Sequence, residues 1–226
     1  MKKKKLNIGV VIGAVVVSIG LLILVCFRLF GGFDARRYVD AVCAQILEGD
    51  VENAIKMTRG LTKEKAEEQH EEMVRNFVNN VIASGLTLEK EEQEACTEIT
   101  KQIFANLKYE VESAEEVNEN EYRVTIRYQE TDVIEKLQAL AKEESAQAKK
   151  KVNRGEYQGT QEEINKQIQK EFAEKLPDML EEAYKNMSFG KEKTMVLTVR
   201  KNENDLYTVD ISEFLVKMMG LTTKQD

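Results

Sequence analysis

The sequence predicts an α+β fold: a transmembrane helix first, then a helical layer packed on one face of a small antiparallel sheet made of two hairpins. Three observations carry this expectation. An uncharged apolar run stands at the N-terminus, from Leu6 to Phe27. The next stretch repeats its apolar residues at helical spacing, and two later stretches switch to alternation with period two. The strands come as hairpins and not as strand–helix–strand units buried on both faces, which separates α+β from α/β.

The apolar run is LNIGVVIGAVVVSIGLLILVCF, preceded by Lys2, Lys3, Lys4 and Lys5 and followed closely only by Arg28. At about 1.5 Å per residue it matches the roughly 30 Å of a bilayer's hydrocarbon core. The lysines place the N-terminus in the cytoplasm and Gly31 onward outside. Residues 1–30 therefore read as cytoplasmic lysines plus anchor, and residues 31–226 as an extracytoplasmic domain. Two other readings stay open. Cleavage would fall near Ser18-Ile19-Gly20, although the apolar run continues past it. Lipidation would fall on Cys26, where Val25 stands in place of the small residue that a lipoprotein signal carries. Gly9 and Gly13 form a small-residue spacing that lets membrane helices approach, or are ordinary membrane-helix glycines.

Beyond the anchor, Asp34 caps a helix to about Glu48 with Tyr38, Val39, Val42, Cys43, Ile46 and Leu47 on one stripe, and Gly49 ends it. A short helix carries Val51, Ala54 and Ile55 inward. Thr62 caps the next, with Met73, Val74, Phe77, Val78, Val81 and Ile82 buried, and Gly85 closes it. A fourth begins at Thr87 and runs to about Asn106 through Cys96, Ile99 and Ile103. Leu107, Tyr109 and Val111 then alternate with polar residues, as do Tyr122, Val124, Ile126 and Tyr128 after a polar turn. Asp132 with Glu135 reads as a capping box that starts a helix. That helix fades into a polar stretch, residues 143–160, read as a solvated helix end and loop. Thr160 with Glu163 opens a helix to about Met187, which Pro177 is expected to kink or divide. Met195, Leu197 and Val199 pair with Tyr207 and Val209, and a last helix runs from Asp210 to about Met219.

The segments FDARRYVDAVCAQILEGDVENAIKMTRGLTKEKAEE and KTMVLTVRKNENDLYTVDISEF, with Tyr38, Val39, Gly49, Asp50 and Thr62 in place, carry a resemblance. They resemble uncharacterised surface domains of Gram-positive bacteria that follow a lipoprotein signal or a membrane anchor. The resemblance implies a fold grouped loosely with cystatin-like or nuclear-transport-factor-like α+β domains. It implies no catalytic residue, because its shared positions are caps, turns and core.

The charge excludes some functions. The net charge is −7, with 33 basic and 40 acidic residues. Five of the basic residues lie in residues 1–30, so the outer domain is near −12, which repels nucleic acid. One histidine, His70, has no second strong ligand at helical spacing, so it reads as a partly packed helix residue. No nucleophile motif, Gly-rich phosphate loop or tryptophan is present. Neither a catalytic residue, a cofactor nor a metal is therefore expected. Cys43 and Cys96 lie on apolar stripes: a disulfide joins them if their helices pack together, and otherwise both are small buried thiols. The expected function is a non-catalytic binding or cell-envelope interaction module. Its contacts are the membrane, through Leu6 to Phe27, and an unidentified protein or envelope partner. The alternative is a small-ligand pocket lined by Tyr109, Tyr122, Tyr128 and Tyr207, residues that otherwise fill the sheet's core side; a hydrolase ranks below both.

Overall fold

The computed structural model describes residues 33–58, 60–203 and 205–221. The apolar run Leu6 to Phe27 lies outside them. Among the described residues no helix is long and apolar enough to cross a membrane.

Four helical pieces come first, as the periodicity requires. Helix α1 (Ala35–Cys43) starts on Asp34, whose carboxylate accepts from Arg37 N–H at 3.0 Å. It continues through a π-helical turn, Ala44–Glu48, that ends on Gly49 at φ 70°. Helix α2 (Glu52–Met57) follows, then α3 (Lys63–Phe77), capped by Thr62 and extended by a second π turn, Val78–Ile82. Helix α4 (Lys90–Ala105) begins three residues later than expected, on Glu89 and with no side-chain cap.

The sheet has four strands in the order β1-β2-β3-β4, every pair antiparallel. The strands are β1 (Tyr109–Asn118), β2 (Glu121–Thr131), β3 (Phe189–Lys201) and β4 (Tyr207–Val209). The two expected hairpins are thus one sheet, joined by the long β2–β3 ladder. Between those strands the chain makes a helical hairpin, α5 (Val133–Asn153) and α6 (Gln161–Lys185), and α7 (Ser212–Met218) closes the fold. Helix α1 packs on β1 and β2, α7 packs on β2, and α6 lies against both α4 and α5. One face of the sheet therefore carries the core, through Val111, Val124, Ile126, Tyr128, Leu197, Val199 and Val209, and the other faces solvent.

Several expectations are corrected. Helix α5 runs ten residues past the point where its apolar stripe fades, to Asn153, because Ala148 is buried in the core and Val152 packs against it. The loop is only residues 154–160. Helix α6 is undivided at Pro177, because Ala173, Leu176, Met179 and Leu180 on both sides of it are buried. Packing holds the helix through the ~3 kcal/mol that an internal proline costs. The Thr160–Glu163 capping box is present. Asp132, by contrast, makes no cap hydrogen bond in α5. Its carboxylate accepts instead from Ser188 N–H at 2.8 Å and Ser188 Oγ, and pairs with Lys136 at 2.8 Å. It ties the entry of α5 to the start of β3.

Candidate functional site

The four tyrosines singled out by the alternation fall into two groups. Tyr109 and Tyr128 are cross-strand partners at one end of the β1–β2 ladder, and both meet the ring of Phe214 edge-on, at 6.2 and 5.7 Å. Tyr109 donates its hydroxyl to Glu48 Oε1 at 2.9 Å. Tyr122 and Tyr207 lie at the other end, where Phe33 stacks flat on Tyr207 at 3.6 Å and meets Tyr122 edge-on at 5.3 Å. Tyr38 joins that group by donating its hydroxyl to the Tyr207 carbonyl at 3.0 Å. Tyr128 and Tyr207 are buried, while Tyr109 and Tyr122 are partly covered and packed against the core. The two groups thus sit against the core at opposite ends of the sheet, and the four rings do not converge on a common space.

Phe33 was missed by the sequence reading. It is the first described residue, six positions beyond the apolar run, and it pins the start of the domain to the sheet. A single aromatic after Gly31-Gly32 gives no periodic signal, so only its tertiary contacts reveal the role.

Cys43 and Cys96 are both free and fully buried. Burial raises both thiol pKa values, that of Cys96 to about 12, so neither is a thiolate at neutral pH.

His70 lies half-buried on α3 against the first π turn, with its Nε2 edge facing Gly49. Desolvation lowers its pKa below the ordinary imidazole value, and Lys101 adds to that. Glu71 and the backbone of Gln45 and Ile46 act in the opposite sense. Neighbouring Gln45 is buried and donates to the Gln69 side-chain oxygen at 3.3 Å. Among the described residues no group of three His, Cys, Asp or Glu side chains could hold a metal ion. A crevice of about 10 Å³ between α5 and α6, bordered by Lys151, Glu171 and Lys175, has room for one water.

The solvent face of the sheet carries an ion-pair network across its strands. Arg127 on β2 reaches Glu110 and Glu112 on β1 and Glu192 on β3, so one guanidinium ties three strands. Thr125, Thr194 and Thr198 line the same face, and Val196, 53% exposed, stands among them.

The two long edges of the sheet differ. Strand β1 carries two register shifts, at Val111/Ser113 and Glu116/Asn118, and Arg36 on α1 donates to the Val111 carbonyl at 2.9 Å. Bulges and a covering side chain are the usual ways an edge is blunted. Strand β3 pairs with β2 without interruption from Glu192 to Arg200, while β4 covers only Val199–Lys201.

No protein-family model matches the chain, and no curated protein matches it either. Among solved structures it is similar to the crystal structure of a candidate lipoprotein, YcdA, from Bacillus subtilis. The TM-score is 0.47 at 17% identity over 82% of this chain. The match takes in 55% of that chain, so this protein corresponds to about half of its neighbour. The cystatin-like or nuclear-transport-factor-like grouping is not shown.

Proposed function

We propose that this chain is a membrane-anchored, extracytoplasmic interaction domain without catalytic chemistry of its own, held by Leu6–Phe27 with its N-terminus in the cytoplasm. The observation that carries the location is the 22-residue uncharged run with four lysines before it and one arginine after it. What supports an interaction role is how the domain spends its residues. Its candidate polar and aromatic residues are used in packing: the tyrosines against the core and both thiols buried. The organised surface is an open, polar sheet face with a straight edge, which suits contact with another macromolecule.

Phe33 adds a geometric consequence. It is fixed on Tyr207 and Tyr122, and four residues separate it from Arg28. A chain spans at most about 3.6 Å per residue, so the β1–β2 and β3–β4 turns sit within roughly 20 Å of the membrane surface. The domain is held close to the bilayer and not on a long stalk.

The test is to delete residues 1–30 and fractionate cells. The full chain is expected in the membrane pellet and the truncated chain in the soluble fraction. A truncated chain that still pelleted with membranes would remove the anchor from the account.

A further inference from the structure

We propose that the open edge of β3 pairs with the same edge of a second copy, joining two four-stranded sheets into one across a two-fold axis at Met195. The proposal deepens the interaction role above by naming the partner as another molecule of this chain.

The backbone defines the free edge. Lys201 N–H donates to the Asn120 carbonyl on the β2 side, while Asn202 N–H donates to Leu206 on the β4 side. Successive residues of a strand face opposite neighbours. With an unbroken register from 192 to 200, the peptide groups of Glu192, Thr194, Val196 and Thr198 therefore turn away from β2. Pairing with β4 reaches no further back along β3 than Val199. Among the described residues no strand of the sheet pairs with β3 on that side at Glu192, Thr194 or Val196. Their N–H and C=O groups form a template for one more strand.

The free stretch is its own complement. Residues 192–198 have Met195 at their centre. Antiparallel pairing about that point sets Thr194 opposite Val196 of the second copy and Glu192 opposite Thr198, each twice by symmetry. It uses the whole free stretch and leaves Val199–Lys201 to β4. The two Val196 side chains, the most exposed large apolar residues described, become diagonal neighbours. Arg200 of the second copy comes diagonal to Glu192. Where the added strand must bend away from β4 of the second copy, β3 already has a register shift, beside Gly190.

The charges at this edge favour a second copy over an acidic or basic peptide. Lys193 is bound to Glu130, Arg200 to Glu121, Lys201 to Asp205 and Glu192 to Arg127. Lys193, Arg200 and Lys201 are each answered within their own chain, Glu192 shares Arg127 with Glu110 and Glu112, and exposed Lys191 balances part of that carboxylate excess in the charge count. Like edges therefore do not repel, and little net charge is left to select a peptide of either sign. An edge lysine usually guards a strand against pairing; here Lys193 is turned back onto Glu130. Confinement of two anchored copies to one membrane raises their effective concentration, so a weak contact suffices.

The test is Met195→Cys in the full chain carrying Cys26→Ser, oxidised mildly in detergent and in native membranes. Two residues at the two-fold of a non-hydrogen-bonded pair have Cα atoms about 4.5 Å apart, within a disulfide's reach. A disulfide-linked homodimer is expected, and Val117→Cys on the blunted β1 edge should give none. Thr194→Pro removes an N–H on the side of β3 that neither β2 nor β4 pairs with, so it should leave the fold intact and cut the cross-link about tenfold or more. Should that variant fail to fold, Val196→Lys, on the exposed face, takes its place. A monomer at Met195→Cys, a cross-link unchanged by both variants, or a cross-link to a different protein would each overturn the proposal. If the domain instead proves cytoplasmic, the detergent cross-link still reports on the edge, so failure of the location and failure of the pairing are separable.

Discussion

Replacing Asp132 with Asn should destabilise the domain by about 1–2 kcal/mol at pH 7, with a penalty that shrinks in acid. The magnitude follows from the site. Burial alone would raise the Asp132 pKa; the Lys136 ammonium and the Ser188 hydroxyl and N–H outweigh it and hold the carboxyl at about 2, against an ordinary 3.8. A gap of that size corresponds to about 2.4 kcal/mol of preference for the charged form, and its partly exposed position lowers this by solvent screening. A depressed carboxyl stabilises the fold above its unfolded pKa and loses that contribution as pH falls through the folded one. The penalty for Asp132→Asn should therefore be full at pH 5–7 and narrow below about pH 4. Urea unfolding of the chain from residue 31 onward, at pH 7, 5 and 3.5, measures it. A difference below about 0.3 kcal/mol at pH 7, or one that does not change on acidification, would refute the assignment of Asp132 as the tie between α5 and β3.

Three further outcomes are expected. Phe33→Ala should cost about 2 kcal/mol, read by urea midpoint, since it removes a ring stacked on Tyr207 and edge-on to Tyr122. Gly220 sits at φ 67° with the Thr131 carbonyl where a Cβ would be, so Gly220→Ala should cost about 2 kcal/mol, seen as a lower Tm. The pKa of His70 is lowered in the fold, so its contribution is complete above the ordinary imidazole pKa and is lost as pH falls below 6.5 toward the folded value. His70→Gln should flatten the decline in Tm between pH 7.5 and 5.5.

Local chemistry was legible in the sequence where it acts over a few residues. The Asp34, Thr62 and Thr160 caps and the glycines at 49 and 85 all fall where short-range spacing put them. So do the apolar alternations that give β2 and the end of β3. What was not legible depends on partners far along the chain. Residues 189–194 have no apolar alternation; they are strand because β2 pairs with them. The last ten residues of α5 are helix because α6 lies beside them. Asp132 looks like a cap in sequence and acts through Ser188, 56 residues away. The edge of β3 could not be read either, since which strand lies at an edge follows from sheet order and from the shortness of β4. The π turns at 44–48 and 78–82 fall within stretches whose periodicity reads simply as α-helix.

The central proposal is that the domain lies outside the cytoplasm and is held at the membrane by Leu6–Phe27. Ser113→Cys on the exposed outer sheet face, with Cys26→Ser, gives a labelling site in an otherwise buried set of thiols. A membrane-impermeant maleimide added to intact cells should label this variant fully, with the labelled chain in the membrane fraction. Labelling only after lysis would place the domain in the cytoplasm and contradict the account.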